Sequence, residues 1–504
     1  MQRSILIARR LNRTACAAAA ALAFLGAGAQ AQSITANFAG LSLADTRGLV
    51  GGNYAPPDTD GAIGNNEFVE FINGGYAVFS RTGTLLAPVV SDATFWANAG
   101  VSSTLINQGL TDTRIKFDPL SQRWFATEIT IGTGTGNNIQ NNSVLVGVSR
   151  TSNPLDGWTS TSFNVAGNTR FNDYPTLSVD ANAIYVGSND FNTTGTAFIG
   201  STISTIPKSS LLTTATTTTG ISTFTQNTGS PSMGFTPQVA TNYGTGYTGA
   251  KIVAISATAF NQVQVTPINN TGAAGATLGS ATTVNIAYDG NTTVVRQPDG
   301  SRSVDGLDNR FSGTIYQVGN KIYAVNAINN GNTGGTTAAG SDSIHWMVLD
   351  ATTNAVIQEG LITDGARDLW QPTIAANANG DVVIGYNKAG TDLNISSFAA
   401  VGKTVGGVLS FSQQVLLKTS GVNNYTDGFN SPPSRWGDFS ATMVDPTDPN
   451  TFWTIQEVAT DSTTWGTQIS AITTTSAVPE PGATAMLMAG LGFVGWVARR
   501  KRAA

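Results

Sequence analysis

The sequence predicts an all-β fold, and three observations support this prediction. Apolar stretches of strand length alternate with turns rich in Pro, Asp, Asn and Gly throughout residues 33–475. Only 11% of the residues are charged, while Thr, Asn, Ser and Gly are abundant, which suits strands with polar outer faces. One hairpin pattern recurs along the chain. Within residues 33–475, the only helix that the sequence indicates is a short one around residues 91–98.

The recurring pattern is clearest at residues 434–457. Two predicted strands, 439–444 and 452–458, are joined there by a Pro/Asp turn, and polar or charged residues precede the first strand. Similar units begin near residues 58, 112, 173, 237, 308, 371 and 436, at spacings of 54 to 71 residues. Repeats of this length built from short strands indicate a β-propeller, because one unit cannot bury its faces until neighbours stack on it. We therefore predict a single propeller of seven four-stranded blades.

The unit that begins at residue 112 defines one complete blade. Its strands are predicted at residues 114–117, 123–130, 143–149 and 158–164. The last unit is shorter, so a strand from residues 33–43 is expected to complete it and close the ring, which removes exposed strand edges. Six blades, a pair of β-sandwiches and a β-solenoid are the alternatives.

The first 31 residues have the features of a secretory signal peptide. Four arginines precede an apolar run at residues 15–29, and Ala29-Gln30-Ala31 provides a small-residue cleavage site. The mature propeller domain is therefore predicted to span residues 32–475. Cys16 is the only cysteine, so no disulfide is expected in the mature protein.

The mature body is strongly acidic. The two chain ends hold eight of the 26 basic residues and one of the 31 acidic residues, which leaves 18 basic and 30 acidic residues and a net charge of −12. Such a surface repels phosphate backbones, so no nucleic-acid partner is expected.

Residues 476–504 differ in character from the rest of the chain. Val478, Pro479, Glu480 and Pro481 precede an apolar segment at 483–498, and a basic cluster follows, formed by Arg499, Arg500, Lys501 and Arg502. The segment predicts a single transmembrane helix whose basic end stays on the cytoplasmic side. This arrangement resembles the PEP-CTERM sorting signal of Gram-negative bacteria.

The resemblance implies a partner and a location. An exosortase would recognise Pro479-Glu480-Pro481 and cut near it, after the protein has been exported and held in the inner membrane by its C-terminal helix. Proteins with this signal are associated with the cell surface, exopolysaccharide and biofilms. An extracellular polysaccharide is therefore a candidate partner.

The body is similar to bacterial secreted sialidase-like or Asp-box propellers, at residues 56–83 and 435–457 above all. The best match to an Asp-box, residues 152–158, is degenerate. Several catalytic systems lack their parts, because His345 is the only histidine and no phosphate-binding loop is present. A partnerless strand histidine of this kind is expected to be structural or exposed.

In a propeller, the residues that precede each innermost strand gather near the axis at one end of the ring. The candidates at these positions are Asp58, Asp60, Asp112, Arg114, Asp173, Tyr174, Arg310, Gln371, Arg435, Trp436 and Asp438. A glycosidase would use Asp173 or Asp438 as acid or base. A sialidase would need Arg114, Arg310 and Arg435 to bind a substrate carboxylate, with Tyr174 as nucleophile. Pairing of Arg with Asp between blades is the structural alternative.

Two further interpretations stay open. Calcium is a candidate cofactor through Asp58 and Asp60, or through Asp305 and Asp308, because carboxylates on turns suit hard cations; no other cofactor is expected. Tryptophans around the ring would either stack on sugars or pack between blades. The sequence thus favours an exported, non-catalytic binding propeller, and a secreted sialidase-like glycoside hydrolase is the alternative.

Overall fold

The computed structural model of the protein describes residues 32–132, 142–165, 169–213, 216–228, 233–300, 302–334, 340–429 and 432–474. The chain divides into two units. Residues 34–472 form the propeller, and the two chain ends form the other unit, of which the structure describes only residues 32–33 and 473–474. The predicted signal peptide and sorting segment lie outside the described residues. Within those residues, no helix has the length and apolar character needed to cross a membrane.

Seven sheets form the blades, which confirms the predicted propeller. Blade 1 contains β2 (Asp60–Ile63), β3 (Glu67–Ile72) and β4 (Gly75–Ser80). Blade 2 contains β5 (Leu110–Asp118), β6 (Arg123–Thr130), β7 (Val144–Ser149) and β8 (Trp158–Phe163). Blade 3 contains β9 (Phe171–Val179), β10 (Ala183–Phe191), β11 (Phe198–Pro207) and β12 (Ser222–Asn227). Blade 4 contains β13 (Phe235–Val239), β14 (Gly249–Ile255), β15 (Gln262–Asn269), β16 (Thr277–Leu278) and β17 (Thr282–Asn285). Blade 5 contains β20 (Tyr316–Val318), β21 (Lys321–Ile328), β22 (Ser343–Asp350) and β23 (Val356–Ile362). Blade 6 contains β24 (Arg367–Ala376), β25 (Asp381–Gly390), β26 (Leu393–Val405) and β27 (Val408–Thr419). Blade 7 contains β28 (Ala441–Val444), β29 (Thr451–Asp461), β30 (Thr464–Thr474) and β1 (Gln32–Ser42).

Two blades depart from four strands. Blade 1 has three, and isolated bridges from Tyr76 to Val90 and from Phe79 to Leu85 place residues 85–90 beside β4. Blade 4 has five, because β16 and β17 both pair with β15. A separate hairpin, β18 (Val295–Arg296) and β19 (Arg302–Val304), lies between blades 4 and 5 in the chain.

Helices are short and lie between strands. They are α1 (Leu43–Val50), α2 (Asp92–Asn98), α3 (Ser103–Ile106) and α4 (Lys208–Leu211). Helix α1 begins with a capping box, in which Ser42 and Asp45 each accept a hydrogen bond from the other's backbone N–H. Helix α2 confirms the helix predicted around residues 91–98.

The N-terminal strand closes the ring. Blade 7 has the strand order β28, β29, β30, β1, so the outermost strand comes from the opposite end of the chain. Ser470 Oγ donates to Asn37 Oδ1 at 2.8 Å, and Thr467 Oγ1 donates to the Leu41 carbonyl at 3.2 Å. The backbone N–H of Leu41 donates to Glu70 Oε2 in blade 1 at 2.9 Å. The closing strand therefore also joins blade 7 to blade 1.

A repeated β-bulge shapes the innermost strands. Asp112, Tyr174, Thr236 and Gln371 all have positive φ, between 52° and 64°. In each of β5, β9, β13 and β24, the register with the next strand slips at this residue and the one after it. The sequence had suggested that these polar positions precede the strands; they lie within them instead, because the bulge inserts unpaired residues without ending the strand. The bulges direct polar groups towards the axis.

The core consists of aromatic and aliphatic side chains between blades. All eight tryptophans of the propeller are at most 6% exposed: Trp96, Trp124, Trp158, Trp346, Trp370, Trp436, Trp453 and Trp465. Contacts such as the one between Phe68 of blade 1 and Trp453 of blade 7, with ring centroids 5.6 Å apart, join neighbouring sheets. None of these tryptophans presents an open face to a sugar.

Candidate functional site

Charged residues from several blades gather at one end of the axis. We call this group the axial cluster: Asp58, Asp112, Arg114, Asp173, Tyr174, Arg310, Arg435 and Asp438. Asp58 accepts hydrogen bonds from the Asp438 N–H at 2.9 Å and from Asn73 Nδ2 at 2.8 Å. Asp112 accepts one from the Tyr174 N–H at 3.1 Å. These contacts join blade 7 to blade 1 and blade 2 to blade 3, so the repeat brings eight of the eleven predicted axial residues together.

The three arginines already have partners. Arg310 makes a bidentate pair with Asp308, with Nε to Oδ1 and Nη2 to Oδ2 both at 2.7 Å. Arg435 donates from Nη2 to Asp438 Oδ1, and Asp305 lies 3.9 Å from its Nε.

Arg114 is bound differently from the other two. Its Nε donates to the Pro175 carbonyl at 2.9 Å, and its guanidinium carbon lies 3.2 Å from the centroid of the Phe439 ring. One of its nitrogens, Nη2, is buried without a hydrogen-bond partner among the described residues. Two of the arginines are therefore neutralised by carboxylates, and the third is held by a carbonyl and an aromatic face.

Tyr174 lies at the centre of the cluster. Its ring is 4.6 Å from the Arg310 guanidinium and 5.3 Å from that of Arg114. Its hydroxyl donates to the Asp438 carbonyl at 2.7 Å, and its pKa is raised by burial. The phenol therefore connects blade 3 to blade 7 as a neutral donor.

The carboxyl groups of the cluster are buried close to one another. Burial, followed by the charges of Asp112 and Asp438, raises the pKa of Asp173 to about 7. Burial and the neighbouring carboxylates also raise the pKa of Asp58 and of Asp112. Burial therefore favours the protonated form of these carboxyl groups.

The calcium candidates are engaged separately. Asp58 is part of the axial cluster. Asp60 accepts a hydrogen bond from the Gly61 N–H at 2.7 Å, and Lys116 Nζ lies 3.9 Å from its carboxylate. Asp305 accepts from the Leu307 N–H at 2.9 Å, while Asp308 binds Arg310. In the part of the chain that the structure describes, no three His, Cys, Asp or Glu residues are placed to hold a metal ion. Calcium binding stays a prediction from the sequence.

The other candidates lie in structural positions. Gln371 Nε2 donates to the Gly437 carbonyl, and Trp436 Nε1 donates to Asn387 Oδ1 at 3.1 Å. His345 is fully buried, and its Nε2 lies 3.0 Å from Glu359 Oε2. No periodicity in the sequence indicates that partner, which lies on the neighbouring strand of the same blade.

A cleft beside the axial cluster was missed by the sequence analysis. It has a volume of about 340 Å³ and is lined by side chains that include Phe198, Phe235, Phe260, Asn291 and Asp308. We call it the aromatic cleft. Its phenylalanines lie in or next to loops rich in Gly, Thr and Ser, and no motif in the sequence indicates that they come together.

Comparison with known proteins identifies the C-terminal segment. Residues 477–502 match the PEP-CTERM protein-sorting motif. No curated protein matches the chain.

Similar solved structures exist at low identity. They include an apocarotenoid oxygenase mutant from Synechocystis, at 9% identity over 75% of this chain and 73% of that one, with a TM-score of 0.39. An α-L-arabinofuranosidase from Fusarium graminearum matches at 9% identity over 84% and 96%, with a TM-score of 0.39. An α-L-arabinanase from Penicillium chrysogenum complexed with arabinobiose matches at 9% identity over 83% and 94%, with a TM-score of 0.37. Likeness at this level identifies neither an activity nor a ligand for this chain.

Proposed function

We propose that the protein is an exported propeller, sorted through its PEP-CTERM motif by an exosortase, which binds polysaccharide or another envelope component without catalysis. The observation that carries the non-catalytic part is the pairing within the axial cluster. Arg310 and Arg435 are bound to carboxylates, and the Tyr174 hydroxyl is bound to a carbonyl. The Tyr174 hydrogen bond joins blade 3 to blade 7, whereas each arginine pairs with an aspartate of its own segment, not between blades. The donors used in these bonds are unavailable to a substrate.

A sialidase-like hydrolase is the second candidate. The observation in its favour is that Arg114 and Arg310 both lie against the Tyr174 ring, next to buried carboxyl groups such as Asp173. Against it, a tyrosine nucleophile must lose its proton, and burial opposes that loss at Tyr174.

Binding and turnover are separated by one paired measurement. We expect the full-length protein, purified in mild detergent, to bind components of a glycan array and to leave a panel of fluorogenic glycosides, including sialosides, unhydrolysed. Tyr174→Phe should leave glycan binding unchanged and lower the free energy of unfolding by about 1 kcal/mol, the usual value of one hydrogen bond. Turnover that disappears in Tyr174→Phe and in Arg114→Ala would establish the hydrolase instead.

The sorting motif gives an independent prediction. Replacing Pro479, Glu480 and Pro481 by alanine should abolish processing in a host that contains an exosortase, because the motif is what that enzyme would recognise. The precursor should then accumulate in the inner-membrane fraction at its unprocessed size on an immunoblot. Thr475→Ala with Ser476→Ala, just ahead of the motif, is the matched control and should be processed normally. Normal processing of the triple variant would exclude this motif as the sorting determinant.

A further inference from the structure

The aromatic cleft opens at the same end of the ring as the axial cluster. Asp308 lines the cleft and also pairs with Arg310 of the cluster. The other walls come from the start of β11, the start of β13 and the loop between β14 and β15. Its volume of about 340 Å³ lies at the lower end of the range of small-molecule sites, roughly 300–1,000 Å³.

Three aromatic rings are the distinctive feature of this cleft. Phe198 and Phe235 make an edge-to-face pair with ring centroids 5.1 Å apart, and Phe260 belongs to the opposite loop. All three are partly exposed, whereas the tryptophans of the propeller are buried. The flat face of a sugar ring carries C–H groups that pack against an aromatic face as other apolar surfaces do. The Arg310 guanidinium lies 5.0 Å from the centroid of the Phe235 ring, so Phe198 and Phe260 offer the stacking surface that the tryptophans do not.

The polar lining suits hydroxyl groups. The side-chain amide of Asn291 makes no hydrogen bond to any residue that the structure describes, so its donor and acceptor are both free for a ligand. Asn309 is committed, since its Nδ2 donates to Asp289 Oδ1 at 2.8 Å. The cleft thus combines the free amide of Asn291 with Asn309, which is held in place by its hydrogen bond. This combination is expected of a site that recognises hydroxyl groups.

The charges at the cleft favour a neutral ligand. Arg310 lies against Phe235 of the cleft, with its guanidinium carbon 5.0 Å from the ring centroid, and its Nε and Nη2 are both taken by Asp308. Asp308 itself keeps 30% of its side chain exposed. An acidic sugar would meet this exposed carboxylate, whereas a neutral one would meet acceptors for its hydroxyls.

We propose that the aromatic cleft binds one or two residues of a neutral, hydroxyl-rich glycan, with a sugar face on the phenylalanine rings and hydroxyls on Asn291 and Asp308. This proposal rests on the proposed binding function and names its site and ligand class. The exposed carboxylate of Asp308 disfavours uronate- and sialate-containing glycans.

The test compares variants of the full-length protein in mild detergent on arrays of neutral and acidic glycans. Phe260→Ala and Asn291→Ala should each weaken binding of the best neutral glycan about tenfold, the value of one good stacking or polar contact. Tyr247→Ala is the matched control, because Tyr247 is an aromatic loop residue of the same blade, 36% exposed, whose hydroxyl reaches Gly319 away from the cleft. It should bind as the unaltered protein does.

The outcomes separate this proposal from the proposed function. Neutral-glycan binding that is lost in both cleft variants and kept in Tyr247→Ala supports the site. Binding that survives both cleft variants leaves the binding function intact and overturns the cleft as its site. Exclusive binding of acidic glycans overturns the ligand class, and binding of no glycan overturns both proposals. A thermal-unfolding midpoint equal to that of the unaltered protein verifies that each variant is folded.

Discussion

Gly40→Val is expected to lower the free energy of unfolding by on the order of 3 kcal/mol, because the larger side chain overlaps atoms in the contact that closes the ring. A Cβ at Gly40 would overlap Thr467 Oγ1 and Glu70 Oε2. These two groups are buried and bonded to each other at 2.6 Å, and Glu70 also accepts from the Leu41 N–H. The added methyl groups must therefore displace the carboxylate or the closing strand.

Ala39→Val is the matched control for this change. Ala39 is the neighbouring residue on β1, but its side chain is exposed, and valine suits a strand. We expect the urea midpoint of Gly40→Val to fall clearly and that of Ala39→Val to stay the same or rise slightly. Equal midpoints for the two variants would show that β1 does not seal the ring by this contact.

The strands were predictable because their signals are local. Alternating apolar residues between turn residues identified β6 at the residues where it lies, 123–130, and the other strands of blade 2 to within a few residues. The closing strand was predictable from a different argument, since a ring with a short last blade needs one more strand. The residues that gather at the axis followed from the repeat.

The partners of those axial residues were not predictable. Whether Arg310 meets Asp308 or a ligand depends on the path of a loop, which no periodicity encodes. The bulge at Tyr174 likewise turns its backbone by a positive φ that a tyrosine seldom adopts. Without that bulge in view, Tyr174 appeared as a free nucleophile rather than a hydrogen-bond donor across the axis.

The aromatic cleft escaped prediction for a similar reason. Its rings lie on segments of two blades, Phe198 in blade 3 and Phe235 and Phe260 in blade 4. The three rings are far apart in the sequence, and only the packing of blade 3 against blade 4 brings them close together. The tryptophans were easier to notice in the sequence and are instead core residues.

Glu70→Gln should change how the stability of the propeller depends on pH. Burial raises the pKa of Glu70 to about 7 from its ordinary value of 4.5. A carboxyl whose folded-state pKa is raised binds its proton more tightly in the folded protein, so it opposes folding once the pH exceeds that of the unfolded group. The folded protein therefore loses stability as the pH rises from about 4.5 through about 7.

The glutamine variant removes that loss while preserving the contacts. Its carbonyl can accept from the Leu41 N–H. Its amide can donate to Thr467 Oγ1, which now donates to Glu70 and can donate instead to the Leu41 carbonyl. At pH 5 we expect the variant to be more stable by less than about 1 kcal/mol, because the loss has only begun there. At pH 8 the variant should be more stable by roughly 3 kcal/mol, the free-energy equivalent of the pKa shift. Urea unfolding at both pH values measures the difference.

Glu67→Gln provides the control on the same strand. Glu67 is partly exposed, and solvent screens it, so its replacement should change the pH dependence much less. Asp173 and Asp342, whose pKa values burial also raises to about 7, remain in both variants and contribute equally to each curve. The comparison therefore isolates Glu70. The contrary result would be a stability difference between Glu70→Gln and the unaltered protein that is no larger at pH 8 than at pH 5. Glu70 would then ionise in the folded protein without a free-energy cost, and its contact with β1 and β30 would not be buried.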